Sequence, residues 1–143
     1  MRVVLIADKD LETRQQMAHL FAEAGYQVRA VNSVHEVLQF ILKRGCRVLL
    51  LGSELGDLLA VELIPLLKKC NRDLTIILVS DENSLPLLRK VRREGIFYHA
   101  LKPVNPEDRD ELRLAVQCAF EKNPPHPVDT PPRWLRQAEA NGI

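Results

Sequence analysis

The feature that most constrains this chain is a fivefold alternation of short apolar runs with longer segments of helical period. Val3 to Ala7 is a continuous apolar run, the pattern of a strand buried on both faces. Tyr26 to Val31, Val48 to Leu51, Leu74 to Val79 and Ile96 to Leu101 are four further predicted strands. The segments between them carry helix start and stop signals. Asp10 is placed to cap a helix whose inner face is Leu11, Met17, Leu20 and Phe21, with Gly25 ending it. Ser33 and Glu36 have capping-box spacing, and Val34, Val37, Leu38 and Ile41 form an apolar face before Gly45. Leu58 to Lys69 reads as a third helix that Pro65 should kink or shorten. Pro86 suits the first turn of a fourth, which runs to Arg93 and Gly95. Asn105-Pro106-Glu107-Asp108 opens a fifth that ends near Glu121. Strands alternating with crossover-length helices predict an α/β fold: a doubly wound, five-stranded parallel sheet in a three-layer sandwich.

A chain of 143 residues suits one such domain, placed at residues 1–122. From Asn123 the composition changes: Pro124, Pro125, Pro127, Pro131 and Pro132 make 123–143 an extended tail, with a short helix expected around Trp134. Twenty basic against 19 acidic residues leave a net charge of +1, so there is no global field to gather nucleic acid or an anionic membrane. Cys46, Cys70 and Cys118 are widely spaced without a CxxC, which excludes a disulfide framework or zinc site and points to a reducing cytoplasm and to packing roles. No apolar run approaches the roughly 20 residues of a membrane span.

In an open parallel sheet, ligands bind beyond the carboxyl ends of the strands, where the strand order reverses. The first predicted strand ends in Asp8-Lys9-Asp10, the third in Gly52-Ser53, the fourth in Ser80-Asp81 and the fifth in Lys102-Pro103. This layout resembles the receiver domain of bacterial response regulators, the CheY-like (βα)5 fold related to flavodoxin. Leu101-Lys102-Pro103 followed by Asn105-Pro106-Glu107-Asp108 matches the end of that pattern, as does Val79-Ser80. Leu55-Gly56-Asp57 through Val61-Glu62-Leu63 resembles its loop and third helix, and the likeness covers residues 1 to about 121. It implies a role in two-component signal transduction and no enzymatic activity.

The departures carry the functional expectation. Gly52 stands where the resemblance implies a phospho-acceptor aspartate, and Lys9 stands at the second acidic position after the first strand. Receiver chemistry needs a divalent cation held by carboxylates, so the magnesium site is expected to be lost or weak, with Asp8 its one remaining carboxylate. Glu54 and Asp57 are acids of the right type as substitute acceptors, but they lie past the strand end. Lys102 can bind an anion or close a salt bridge to Asp8, of which the bridge is preferred; Lys9 can pair with Asp8 or Asp10. Ser80 can donate to a phosphate or satisfy local backbone. Asp8, Lys9, Gly52, Ser80 and Lys102 thus define a vestigial pocket, with Tyr98 and His99 at the aromatic switch position.

The expected function is that of an atypical receiver acting by phosphorylation-independent protein contact. The resemblance places dimerisation and output on the fourth helix, fifth strand and fifth helix. There the basic Arg89, Lys90, Arg92 and Arg93 favour an acidic signalling partner, such as a histidine-kinase-like component, or a dimer that engages Asp108, Asp110 and Glu111. Nucleic acid is not expected, because no aromatics interleave with these charges. The alternative is a sensor of a small anion or nucleotide in the altered pocket. His19 and His35 read as ordinary surface residues.

Overall fold

The computed structural model describes residues 2–43, 46–81, 89–90 and 92–122. Five strands, β1 (Val3–Ala7), β2 (Gln27–Val31), β3 (Val48–Gly52), β6 (Thr75–Ser80) and β7 (Tyr98–Leu101), form one parallel sheet in the order β2-β1-β3-β6-β7. Two short strands, β4 (Glu54–Leu55) and β5 (Leu58–Leu59), pair antiparallel as a separate hairpin. The helices are α1 (Leu11–Glu23), α2 (Val34–Leu42), α3 (Ala60–Cys70) and α4 (Pro106–Lys122), and residues 89–90 and 92–93 are also helical. The predicted doubly wound architecture is the observed one, and its strand order reverses between β1 and β3.

Strand alternation divides the core into two layers. Leu5, Leu49, Leu51, Ile76 and Leu78 point to the side covered by α2 and α3, where Val37, Ile41, Leu63, Ile64 and Leu67 meet them. Val4, Ile6, Leu50, Ile77 and Val79 point to the other side, against Met17, Leu20 and Phe21 of α1 and Leu112, Val116 and Phe120 of α4. The central strands β1, β3 and β6 are apolar on both faces because helices cover both, which is why their sequences run without polar alternation.

The helix caps follow the sequence signals. The Asp10 side chain accepts from the Thr13 amide, Ser33 Oγ accepts from the Glu36 amide, and Asn105 Oδ1 accepts from the Asp108 amide. Gly25 follows α1 at φ +94°, a conformation that disfavours any residue with a Cβ.

Some expectations need correction. Leu11 is 55% exposed rather than part of the inner face of α1, and Thr13, held by the capping Asp10, is buried in its stead. The third helix begins at Ala60, not Leu58, because residues 54–59 form the hairpin; it continues through Pro65 to Cys70. Cys46 is buried, and burial pushes its thiol up to about 12, but Cys70 and Cys118 are exposed rather than packed. Gly45, Pro86 and the 123–143 tail with Trp134 lie outside the described residues. No described helix is long and apolar enough to cross a membrane.

The layering predicts a sharp contrast between two leucines. Leu50→Ala, at a fully buried position of β3, should cost about 2–5 kcal/mol in denaturant unfolding. Leu114→Ala, on the exposed side of α4, should stay within about 0.5 kcal/mol.

Candidate functional site

Parallel register brings the four predicted strand ends to one edge. Ala7 lies beside Leu51, Gly52 beside Val79 and Ser80 beside Leu101, so Asp8, Gly52, Ser80 and Lys102 stand side by side at the carboxyl end of the sheet.

Asp8 occupies the centre of this edge and is only 4% exposed. Its amide donates to Val31 O at 3.3 Å, and its carbonyl accepts from Arg14 Nη1 at 2.8 Å. Oδ1 accepts from the Asp10 amide at 2.9 Å, whereas the buried Oδ2 has no hydrogen-bond partner among the described residues. The carboxyl lies directly over Gly52. A Cβ added there would stand 2.4 Å from Asp8 Cγ, 2.5 Å from Oδ2 and 2.7 Å from Oδ1, closer than non-bonded atoms can approach. Burial raises the Asp8 pKa above its usual value, outweighing the Asp10 amide and the positive charges of Lys102 and Arg14, while the Asp10 charge adds to the rise.

Asp10 titrates in the opposite direction. Hydrogen bonds from the Thr13 hydroxyl and amide hold its carboxyl below the usual range, so this acid serves as the cap of α1. Lys9 pairs with neither neighbouring aspartate. Its Nζ lies 3.4 Å from Glu54 Oε2, with both side chains more than half exposed, and its amide donates to Glu54 O at 3.1 Å. Such an exposed pair contributes at most about 1 kcal/mol, so the backbone bond is the firmer tie. Lys102 acts on Asp8 and Asp10 through its charge, but no close ion pair among the described residues joins it to Asp8; the expected bridge is not formed.

Ser80 Oγ and His99 Nε2 are hydrogen-bonded at 2.9 Å, which couples the end of β6 to β7. Burial, and then the nearby Arg92 charge, lower the His99 pKa against the opposing pull of Glu111. The Tyr98 hydroxyl donates to Glu111 of α4. Beside them, Arg92, Ile96, Phe97, Tyr98 and His99 line an open cleft of about 280 Å³. Arg89, Lys90, Arg92 and Arg93 are all exposed, as are His19 and His35.

Sequence reasoning missed Arg14, Glu54 and Glu111 as partners of the singled-out residues. Gly56-Asp57 between Leu55 and Leu58 is a two-residue turn signal that marks the hairpin holding Glu54, and Gly56 adopts the required positive φ of 60°. The hairpin also explains why neither candidate substitute acceptor is in the pocket: Glu54 pairs with Lys9, and Asp57 is exposed at the turn.

A divalent cation needs several oxygen ligands around one point. Here Asp8 is packed against Gly52, Asp10 caps a helix and an ammonium replaces the intervening acid. No group of three or more His, Cys, Asp or Glu residues among those described could hold a metal.

A family model for the response regulator receiver domain matches residues 4–117. The chain belongs to that family. It is a receiver domain of two-component signal transduction. The domain is 28% identical over 122 residues to the DNA-binding transcriptional regulator NtrC of Azospirillum brasilense, covering 85% of this chain and 25% of the relative. It is 25% identical over 121 residues to nodulation protein W of Bradyrhizobium diazoefficiens, covering 85% and 52%. The chain thus spans between a quarter and about half the length of these curated relatives. Among solved structures, chemotaxis protein CheY4 of Vibrio cholerae superposes with a TM-score of 0.72 at 22% identity, covering 83% of this chain and 98% of that one. The beryllofluoride-activated NtrC4 receiver domain dimer superposes with a TM-score of 0.75 at 22% identity, covering 85% and 98%. Both share the fold of this receiver domain.

The raised Asp8 pKa has a definite sign in stability. The folded state binds this proton more tightly than the unfolded chain, so the contribution is complete below the usual value of 3.8 and is lost as pH rises through the folded value. Asp8→Asn keeps an acceptor for the Asp10 amide and removes the titration. Its melting temperature should gain on that of the wild type as pH rises from about 4 to 7. Parallel melting curves across that range would contradict the assignment.

Proposed function

We propose that this receiver domain is an atypical, phosphorylation-independent member that signals through protein contact. The observation that carries this reading is Gly52 at the end of β3 with the Asp8 carboxyl packed on it, in the position where the family resemblance implies an acceptor aspartate. Transfer of a phosphoryl group to an aspartate requires a carboxylate, a metal to neutralise the phosphoryl oxygens and a lysine to meet them. Lys102 supplies the third requirement, while the residues at positions 52 and 9 supply neither of the others. Weak or absent magnesium binding follows from the same donor set.

The contact face is assigned to the helical residues before β7, β7 itself and α4. Arg89, Lys90, Arg92 and Arg93 are exposed, and Arg92 lines the cleft together with Phe97, Tyr98 and His99. Two of the three acids on α4 that a reciprocal dimer would use are already engaged: Glu111 accepts from Tyr98, and Asp110 pairs with Arg113. That engagement favours a separate acidic partner, a signalling protein, over self-association. The anion- or nucleotide-sensor reading has weaker support, because Lys9 is paired with Glu54 and the Asp8 carboxyl occupies the space over Gly52.

Incubation with acetyl phosphate should leave the intact mass of the protein unchanged, and incubation with beryllofluoride and magnesium should produce no protein-bound resonance in the ¹⁹F spectrum. A stoichiometric, hydroxylamine-sensitive adduct would overturn the proposal. Reversing the charge of Arg89, Lys90, Arg92 and Arg93 together should abolish partner capture from native cytoplasm without changing the melting temperature by more than about 2 °C.

A further inference from the structure

We infer that Asp8 is a plug: its carboxyl takes the space of a side chain at residue 52, so that Asp8 as placed and any side chain at position 52 exclude one another. The functional meaning of the plug rests on the reading above, while its steric content stands apart from it.

Three observations converge. The first is the contact itself, since all three atoms of the Asp8 carboxyl lie within 2.7 Å of where a residue-52 Cβ would be. The second is that Asp8 has little freedom to withdraw. Its side chain is short, Oδ1 is held by the Asp10 amide at 2.9 Å, and Asp10 is itself fixed by Thr13 at the start of α1. Its backbone is held from two more directions, by Val31 of β2 and by Arg14 of α1. The third is the hairpin. The Lys9 amide bonds Glu54 O at 3.1 Å, the Ala60 amide bonds Ser53 O at 2.9 Å, and Leu55 is fully buried. The residue after Asp8 and the residues after Gly52 are therefore stitched together, which presses the β1–α1 loop onto the end of β3.

Strand propensity alone would favour alanine over glycine at position 52, because glycine loses more backbone freedom on folding. The close approach of Asp8 reverses that preference. An aspartate installed at position 52 by a single change would meet the same carboxyl and add a like charge to it, so restoring an acceptor requires clearing Asp8 as well.

The test is a double-mutant cycle on the full 143-residue chain, read by thermal unfolding of wild type, Gly52→Ala, Asp8→Ala and the double variant. Gly52→Ala should lower the melting temperature by roughly 5–10 °C in the wild-type background and should leave it unchanged or raise it in the Asp8→Ala background. An equal effect in both backgrounds would overturn the plug. If Gly52→Ala does not fold, a folded double variant supports the inference, and an unfolded one beside a folded Asp8→Ala refutes it. Should Asp8→Ala itself not fold, Asp8→Ser, which retains an oxygen for the Asp10 amide, takes its place in the cycle. A wild-type phosphoryl adduct would sink the proposed function and leave the cycle intact; additivity in the cycle would do the reverse.

Discussion

The close packing of the Asp8 carboxyl on the Cα of Gly52 is the interaction on which the rest of the site depends. It requires glycine at the end of β3, because any Cβ would collide with three atoms of a buried, pinned group. It requires that carboxyl to lie out of water, which is why burial raises the Asp8 pKa above its usual value. The same contact consumes the carboxylate that could otherwise serve a cation. On the function proposed above, the lack of an acceptor and the lack of a metal ligand would share this one geometric origin.

The remainder of the domain is insulated from that contact. The two core layers are built from alternating strand residues and from helix faces on opposite sides of the sheet, and neither layer needs an acid at the sheet edge. The far edge keeps its own network. Ser80 is bonded to His99, Tyr98 to Glu111, and the basic residues before β7 face solvent. A surface of this kind can bind a partner in one standing conformation, since nothing in the pocket has to change for it to be displayed. The frame of a receiver domain is retained, and on the function proposed above it would present a constitutive face.

Much of the fold was legible in the residues. Apolar runs such as Val3–Ala7 and Leu74–Val79 declare strands covered on both sides, and Asp10, Ser33 and Asn105 cap helices where their spacing indicates. The strand-end positions of Asp8, Gly52, Ser80 and Lys102 follow from that alternation and the parallel topology. What was not legible was pairing. Lys9 sits between two aspartates in sequence yet bonds Glu54, because the hairpin brings residue 54 back over the loop. Leu11 is apolar but lies six residues before Met17, off the buried stripe, whereas Thr13, four before it, falls on that stripe. The collision at Gly52 depends on the direction of one side chain two strands' ends apart, and sequence pattern carries no record of it. The Gly56-Asp57 turn is the exception, a signal present in the sequence that marks the hairpin directly.

On the function proposed above, this pocket is closed on Asp8 and not open to a cation or a phosphoryl group. The most direct measurement is a ¹³C titration of the Asp8 carboxyl carbon, with and without millimolar magnesium. The carboxyl carbon should titrate above the ordinary aspartate value of about 3.9 and should not move when magnesium is added. A carbon that titrates at or below that value, or shifts with magnesium, would contradict the claim.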